Sequence, residues 1–479
     1  MISFSQEIDD EEDNWNECII SCTMLINTAQ LLLQQVVELE NEHEEEDDEM
    51  LERHFREENE TIEDRKERRN RHKSFQRPSK RRKFDHKRAY ECIMGDYLGV
   101  NAIYNDGGFQ MMFHISRSRF QRIMEDVAVL EHNFYCTEKK VRGKTVCSFE
   151  CKLLLPLKCI AYGNPPHAFS DYFQMSPTLA TECCSVFDKV MHEMYSDEYL
   201  RVPTSVDLKN IETLHHDVHN VRGMFGNLDC CHTWWKNCPK AWQGQFKGKE
   251  GESTVVLEAL CDYNLWFWHG AFGYAGTMND LNILETSPLL SNLLDGRFEK
   301  LEVASGTIPF QIGEEEFSKL FILVDGIYPG FTRFVKGISQ PIYEKDKRFT
   351  KWQESARKDI ERAFGVLQQK FQFVAQPILL LDIIEIGRRV MRTCLLLHNM
   401  VVSDRVMDGD VYAVYNPANQ CIKGVRVPHK PVDHEEEFPA MGIRNIPGDH
   451  NVNAIVERWN CLVDKEQHQR LQKALQDNF

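Results

Sequence analysis

Near residue 221 the apolar residues change from helical spacing to unbroken runs, and this change limits the fold more than any other property of the sequence. TVVLEALCDYN and LWFWHGAFGYAG meet at Asp262-Tyr263-Asn264 and predict a β-hairpin. FILVDG at 321–326 is a short apolar run that reads as a strand buried on both faces. Helices are predicted at 279–295, 351–370 and 383–402. This mixture predicts an α/β domain over residues 201–403.

Residues 89–200 are predicted to be mostly helical. Ser116 is placed to cap a helix that carries apolar residues at helical spacing. An apolar helix near 150–162 ends at Gly163, and Ser176 with Pro177 marks the start of another. This order is compatible with a helix-turn-helix DNA-binding module, but the pattern alone favours an ordinary helical bundle.

Charge divides the amino-terminal 88 residues into two parts. Residues 1–64 hold 22 acidic and 2 basic residues, whereas residues 65–88 hold 13 basic and 2 acidic ones. We expect this region to be a largely disordered tail with one amphipathic helix near 18–40. The basic part suits a nuclear-import signal or a nucleic-acid arm, which predicts a nuclear protein. Residues 404–479 are predicted to be a carboxy-terminal extension that ends in a short helix.

Composition excludes several classes of protein. The chain has 479 residues, of which 42% are hydrophobic and 27% charged, so we expect two or three folded units rather than one small domain or a disordered polymer. No apolar run approaches the roughly 18 residues of a membrane-spanning helix, so we expect a soluble protein. The sixteen cysteines follow an acidic start without a secretory signal, which favours reduced thiols. The cluster Cys230, Cys231, His232 and Cys238 contains no CxxC pair and is a weak zinc candidate.

Three acidic residues stand out by their context. Asp229 ends the segment MFGNLD, Asp325 ends FILVD, and Glu361 lies beside the apolar stripe of a predicted helix. Functional groups in open α/β sheets gather at the carboxyl ends of strands. If these acids meet, two Mg²⁺ or Mn²⁺ ions would best offset their repulsion and would promote in-line phosphoryl transfer. Taken singly, each acid is better explained by a structural role: Asp229 and Asp325 as caps of turns, and Glu361 as a surface partner of Arg357 or Lys358.

Long ordered motifs carry a resemblance to a known family. They are NLDCCHTWWKNCPKAWQGQFKGKEG, VVLEALCDYNLWFWHGAFGYAGTMNDLNILETSPL, FILVDGIYPGFTRFVKG, RKDIERAFGVLQQKF and CLLLHNM. The segment that contains them, about 221–402, resembles Harbinger-type transposases of the plant-transposon-protein branch. The resemblance implies an RNase H-like core, preceded by a helical DNA-binding region, with a metal site of Asp229, Asp325 and Glu361. Asp280 matches a further acid of the family pattern, although a helix N-cap explains Asp280 as simply.

Basic and aromatic residues alternate after the first candidate acid. Lys236, Lys240, Lys247 and Lys249 are interleaved with aromatic residues, which suits phosphate contacts and base stacking near a cleaved DNA end. A solvated loop with its aromatic residues packed inward is an equal alternative. His215, His219, His232 and His398 are interpreted as structural, because a lone histidine is more often packed than catalytic.

Two functions therefore compete. One is a metal-dependent endonuclease or transposase that cuts double-stranded DNA at transposon ends. The other is a domesticated descendant that binds DNA or chromatin without cutting it. The resemblance implies a separate Myb-like DNA-binding partner, which agrees with the net negative charge outside the basic segment. The sequence does not indicate whether the protein forms a homo-oligomer, which DNA sequence it recognises or whether the transposon still moves.

Overall fold

The computed structural model describes residues 84–130, 132–135, 146–248, 251–294, 296–383, 387–408 and 452–478. The predictions of a disordered tail, of the helix near 18–40 and of most of the basic segment lie outside these ranges. Lys249 and residues 409–451 of the predicted extension lie outside them too. The described residues from Asp85 onward belong to one compact unit. Every helix in these ranges is too short or too polar to cross a lipid bilayer.

Helices occupy the first part of this unit. They are α1 His86–Ile93, α2 Asp106–Phe113, α3 Arg117–Val129, α4 Phe149–Tyr162, α5 Pro177–Tyr199 and α6 Ser205–His219. A short π-helical turn at Met94–Leu98 follows α1. The predicted caps are confirmed, because the Ser116 and Ser176 side chains accept hydrogen bonds from the first turns of α3 and α5, and Gly163 ends α4 with a left-handed backbone.

A five-stranded mixed sheet follows. Its strands are β1 Met224–Trp234, β2 Thr254–Cys261, β3 Phe267–Ala275, β6 Phe321–Leu323 and β7 Phe334–Val335, and β4 Phe310–Ile312 pairs separately with β5 Glu315–Phe317. The sheet has the order β3-β2-β1-β6-β7. The predicted hairpin is confirmed: β1, β2 and β3 are antiparallel neighbours, while β6 and β7 run parallel to β1. The predicted α/β class, a mixed sheet flanked by helices, is confirmed.

Further helices surround the sheet. The predicted helix 279–295 is two helices separated at Ser287, and the predicted helix 351–370 begins seven residues earlier, at Glu344. These helices are α7 Gln243–Phe246, α8 Asp280–Thr286, α9 Pro288–Leu294, α10 Arg297–Ser305, α11 Glu344–Lys370, α12 Gln372–Ala375, α13 Arg388–Asp408, α14 Val452–Leu462 and α15 Lys465–Asn478.

The helical region and the sheet share one hydrophobic core. Phe187 of α5, Phe267 of β3 and Leu395 of α13 belong to the same buried cluster. α13 contacts both α5 and β3, and α11 crosses β1, β2 and β6. α11 buries Ala356, Ile360 and the rest of its apolar stripe on the sheet and leaves its polar flank facing the candidate site.

Candidate functional site

The sequence predicts that Asp229 ends a strand, but in the structure Asp229 lies in the middle of β1. The strand continues because the residues after Asp229 pair in register with β2, up to Trp234 opposite Thr254. Asp229 Oδ1 accepts a hydrogen bond from the Cys230 backbone N–H at 2.9 Å, and Oδ2 accepts one from Arg357 Nη1 at 2.7 Å. The Asp229 side chain is 21% exposed, so solvent reaches it from one side.

Asp325 lies two residues beyond the end of β6 and is exposed. Its Oδ1 accepts a hydrogen bond from the Gly326 N–H at 2.7 Å. Asn227 of β1 is paired with Leu323 of β6 in parallel register, and each acid follows two residues later in its own segment. Parallel register therefore brings Asp229 and Asp325 to the same level of the sheet. The two candidates that the sequence proposed are brought together.

Asp280 joins these two acids from the start of α8. It is the first helical residue and not the cap: Asn279 Oδ1 accepts the capping hydrogen bond from Asn282 N–H at 2.8 Å. Burial raises the pKa of Asp280, and the charge of Asp325 adds to this, while the Cys230 thiol opposes it. Burial likewise raises the pKa of Asp229, with Asp280 and Asp325 contributing and Arg357 opposing. The three acids thus lie within electrostatic reach of one another.

Glu361 reaches this group through an arginine. It lies on α11 one turn after Arg357, and its Oε1 accepts a hydrogen bond from Arg357 Nη2 at 3.1 Å. The Glu361 side chain is 51% exposed. Arg357 therefore holds Asp229 with one nitrogen and Glu361 with another. The contact of Arg357 with Asp229 joins residues 128 positions apart in the chain, so spacing along the sequence does not reveal it.

The donor chemistry of these acids fits a hard divalent cation. All the candidate ligands are carboxylate oxygens, the donors that hard divalent cations prefer, and burial raises the pKa of Asp229 and of Asp280. Within the described ranges, however, no three His, Cys, Asp or Glu side chains are arranged as a metal-binding group. The same finding applies to the weak zinc candidate, because Cys230, Cys231, His232 and Cys238 are not arranged as a metal-binding group either. Arg357 already bonds one oxygen of Asp229 and one of Glu361, so its positive charge would lie beside a cation that these acids bound.

A buried polar cluster supports the site from the other face of the sheet. Glu258 of β2 is directly opposite Cys230 and is fully buried. Its Oε2 accepts hydrogen bonds from the Ser287 hydroxyl and from His269 Nε2, the latter at 2.9 Å. Sequence reasoning missed this cluster, although a glutamate inside the apolar run VVLEAL is a visible signal.

Tyr328 supports the turn that carries Asp325. Its ring is 1% exposed, and its hydroxyl lies 3.6 Å from the Cys230 sulfur. The Tyr328 N–H donates to the Asp325 carbonyl at 3.2 Å, which closes the turn after β6. Because Cys230 follows Asp229 in β1, this contact ties the two segments that carry the central acids.

The basic and aromatic stretch combines the two alternatives, because some of its aromatic rings pack inward and others are exposed beside the lysines. Trp235 and Phe246 are 1% and 5% exposed and pack edge to face, as the inward-packing alternative predicts. Trp234 and Trp242 keep 41% and 39% of their surface exposed. The described lysines of this stretch, Lys236, Lys240 and Lys247, are all exposed. The surface can therefore present both charge and aromatic rings to a ligand.

The histidines that were interpreted as structural differ in their surroundings. His398 is buried and donates from Nε2 to the Leu265 carbonyl at 2.8 Å, whereas His232 is exposed beside Thr254. His215 and His219 stack on one face of α6 with ring centroids 5.7 Å apart. Burial lowers the pKa of His215 to about 3, so this ring is neutral at physiological pH.

One family match covers the α/β part of the chain. Residues 197–409 match the family described as plant transposon protein. The matched segment contains the whole five-stranded sheet and all four acids of the candidate site. No curated protein and no solved structure matches the chain. The part of the chain that carries the sheet and its acids is thus similar to plant transposon proteins.

Proposed function

We propose that the protein is a metal-dependent DNA endonuclease of the Harbinger type, which cuts transposon ends by in-line phosphoryl transfer. The observation that carries this proposal is the parallel register that places Asp229 beside Asp325, with Asp280 in electrostatic reach of both. The plant-transposon-protein match supports the same class of activity. Acids from β1, the β6 turn, α8 and α11 would then act as one site.

In this proposal Asp229, Asp280, Asp325 and Glu361 hold two Mg²⁺ or Mn²⁺ ions. Bound there, the cations would lower the pKa of the attacking water or 3′-hydroxyl and neutralise charge on the leaving oxygen. The chain's own residues orient these carboxylates: the Cys230 and Gly326 N–H groups each hold one oxygen of the neighbouring aspartate. The second oxygen of Asp229 is bonded to Arg357 in the metal-free protein.

The exposed lysines and tryptophans of residues 234–247 would hold the DNA. Lys236, Lys240 and Lys247 would contact phosphates, and Trp234 and Trp242 would stack on unpaired bases next to the cut. Lys249 is proposed to act with them. The helical residues 89–200 are proposed to take part in DNA binding as well.

A cleavage assay on a plasmid that carries matched element ends tests the proposal. Asp229→Asn, Asp325→Asn and Glu361→Gln should each abolish Mg²⁺-dependent cutting, because each removes the charge of a metal ligand. Glu354→Gln, an exposed acid on the same helix as Glu361, is the matched control and should cut normally. Wild-type cutting by any of the three site variants, with their thermal midpoints unchanged, would contradict the assignment.

The alternative is a domesticated protein that binds DNA or chromatin without cutting it. The ion pairs of Arg357 favour this alternative, because they already occupy oxygens of Asp229 and Glu361. In such a protein the Asp325→Asn substitution would leave the affinity for DNA unchanged. The protein would cut no plasmid, even in the presence of Mg²⁺ or Mn²⁺. The same assay therefore separates the two functions.

Location and partners complete the proposal. We propose that residues 65–88 direct the protein to the nucleus, because 13 of them are basic. A reporter fused to this segment that stays in the cytoplasm would contradict the assignment.

The net charge of the whole chain is −17, so a Myb-like partner is proposed to supply part of the DNA affinity. Tight, salt-insensitive DNA binding by the isolated protein would exclude that need.

A further inference from the structure

The guanidinium of Arg357 occupies a position between two acids of the site. Its Nη1 lies 2.7 Å from Asp229 Oδ2, and its Nη2 lies 3.1 Å from Glu361 Oε1. Arg357 and Glu361 are one helical turn apart on α11, whereas Asp229 lies on β1. One side chain thus links the central strand to the helix by two charge-assisted hydrogen bonds.

The contact of Arg357 with Asp229 is sheltered, because these side chains are only 20% and 21% exposed, whereas Glu361 is 51% exposed. Asp229 also lies within electrostatic reach of the negative charges of Asp280 and Asp325. Arg357 therefore supplies positive charge to a group of acids that would otherwise repel one another.

A divalent cation would use the same carboxylates. Bound by Asp229 and Glu361, it would lie close to the guanidinium, and two positive charges so near each other in a partly buried site repel. We propose that Arg357 is a displaceable internal cation, which holds Asp229 and Glu361 together in the metal-free protein and leaves both when a divalent cation binds. This inference rests on the proposed metal-dependent function and assigns Arg357 as a positioning residue.

The competition has a measurable consequence that does not depend on DNA cutting. Without Arg357, a cation no longer has to break two hydrogen bonds before it binds, so its affinity should rise. The contacts are partly screened by solvent, so the gain should be roughly five- to thirtyfold in the dissociation constant. The metal-free variant should also have a lower thermal midpoint, because its acids are no longer bridged.

The test is calorimetric titration of the full chain with Mn²⁺, without DNA, together with thermal unfolding in chelator and in Mn²⁺. Arg357→Gln removes the charge and the bridge. Arg357→Lys keeps the charge but cannot hold two carboxylates with a rigid fork, and it serves if the glutamine variant does not fold. Lys358→Gln removes one exposed positive charge from the next position on α11 and is the matched control.

We expect Arg357→Gln to bind Mn²⁺ more tightly than the wild type, Arg357→Lys to lie between them, and Lys358→Gln to match the wild type. Equal shifts for Arg357→Gln and Lys358→Gln would show a general charge effect and overturn the inference. Unchanged affinity in both Arg357 variants would overturn it too, while cation binding itself would stand. If no protein binds Mn²⁺, the proposed function fails, and the inference fails with it.

Discussion

Single residues show how charge is compensated inside this protein. Arg333 and Glu302 form a bidentate pair at 2% and 0% side-chain exposure, with nitrogen-to-oxygen distances of 2.5 and 2.8 Å. Arg357 compensates the charge of Asp229 through one hydrogen bond, in a more open position. In both pairs the partners are far apart in the chain, so their pairing could not be predicted from spacing. The residue types were visible in the sequence, but the partners were not.

Titration of His398 should make the protein sensitive to acid. Burial lowers the pKa of His398 to about 4, below the ordinary value of about 6.5. In the folded protein the ring stays neutral, whereas in the unfolded chain it takes up a proton as the pH falls. The contribution of the neutral ring to the unfolding free energy is therefore intact above pH 6.5 and is lost as the pH falls toward 4. This pKa shift corresponds to about 3 kcal/mol of unfolding free energy. His398→Gln should keep a donor for the Leu265 carbonyl but flatten this loss.

Urea unfolding at several pH values between 7 and 4 measures the effect. The stability of the wild type should fall more steeply over this window than that of His398→Gln. The variant should retain some slope, because burial also lowers the pKa of His192 to about 4 and that of His215 to about 3. Parallel pH profiles for the two proteins would show that His398 does not titrate in this way.

At the scale of secondary-structure elements, the break between α8 and α9 serves the site. Ser287 separates the two helices, and its oxygen accepts the Leu289 N–H at 3.0 Å while its hydroxyl donates to buried Glu258. The end of α8 is thereby fixed to the sheet, and the start of α8 carries Asp280. The sequence pattern predicted one helix because the apolar spacing continues through the break.

Ser287→Ala should destabilise the fold more than an ordinary surface change. It removes one hydrogen-bond donor from a fully buried carboxylate and one cap from α9, which should cost about 1–3 kcal/mol of unfolding free energy. Ser291→Ala, at an exposed position on α9, is the control and should leave the urea midpoint unchanged. Equal midpoints for the two variants would mean that the Ser287 contacts contribute little.

At the scale of the whole molecule, the side-chain amide of Asn399 links the helical region to the sheet within their shared core. Asn399 of α13 is fully buried, and its Nδ2 donates to the Tyr199 carbonyl at 2.7 Å and to the Phe267 carbonyl at 2.9 Å. Its Oδ1 accepts the Phe267 N–H at 3.0 Å. Three elements that are distant in the chain, α5, β3 and α13, therefore meet at one side chain.

Asn399→Ala should weaken both regions together. Three buried backbone groups lose their partner, so we expect a loss of about 3 kcal/mol in unfolding free energy. Hydrogen exchange should speed up in β3 and at the end of α5 alike. Met400→Leu, a change of similar volume at the adjacent buried position, should have a much smaller effect. Faster exchange confined to one region would argue against a shared core.

The sequence by itself determined the local structure of this protein and the identity of its candidate acids. The caps at Ser116 and Ser176, the β2–β3 hairpin and the short β6 strand follow from residue preferences within a few positions, which is why they were predicted. Only the tertiary structure decided that β1 continues past Asp229, that Asp325 shares its level, and that Arg357 holds Asp229. These features arise from strand register and helix packing between segments that lie 20 to 128 residues apart, and no local preference specifies such pairings.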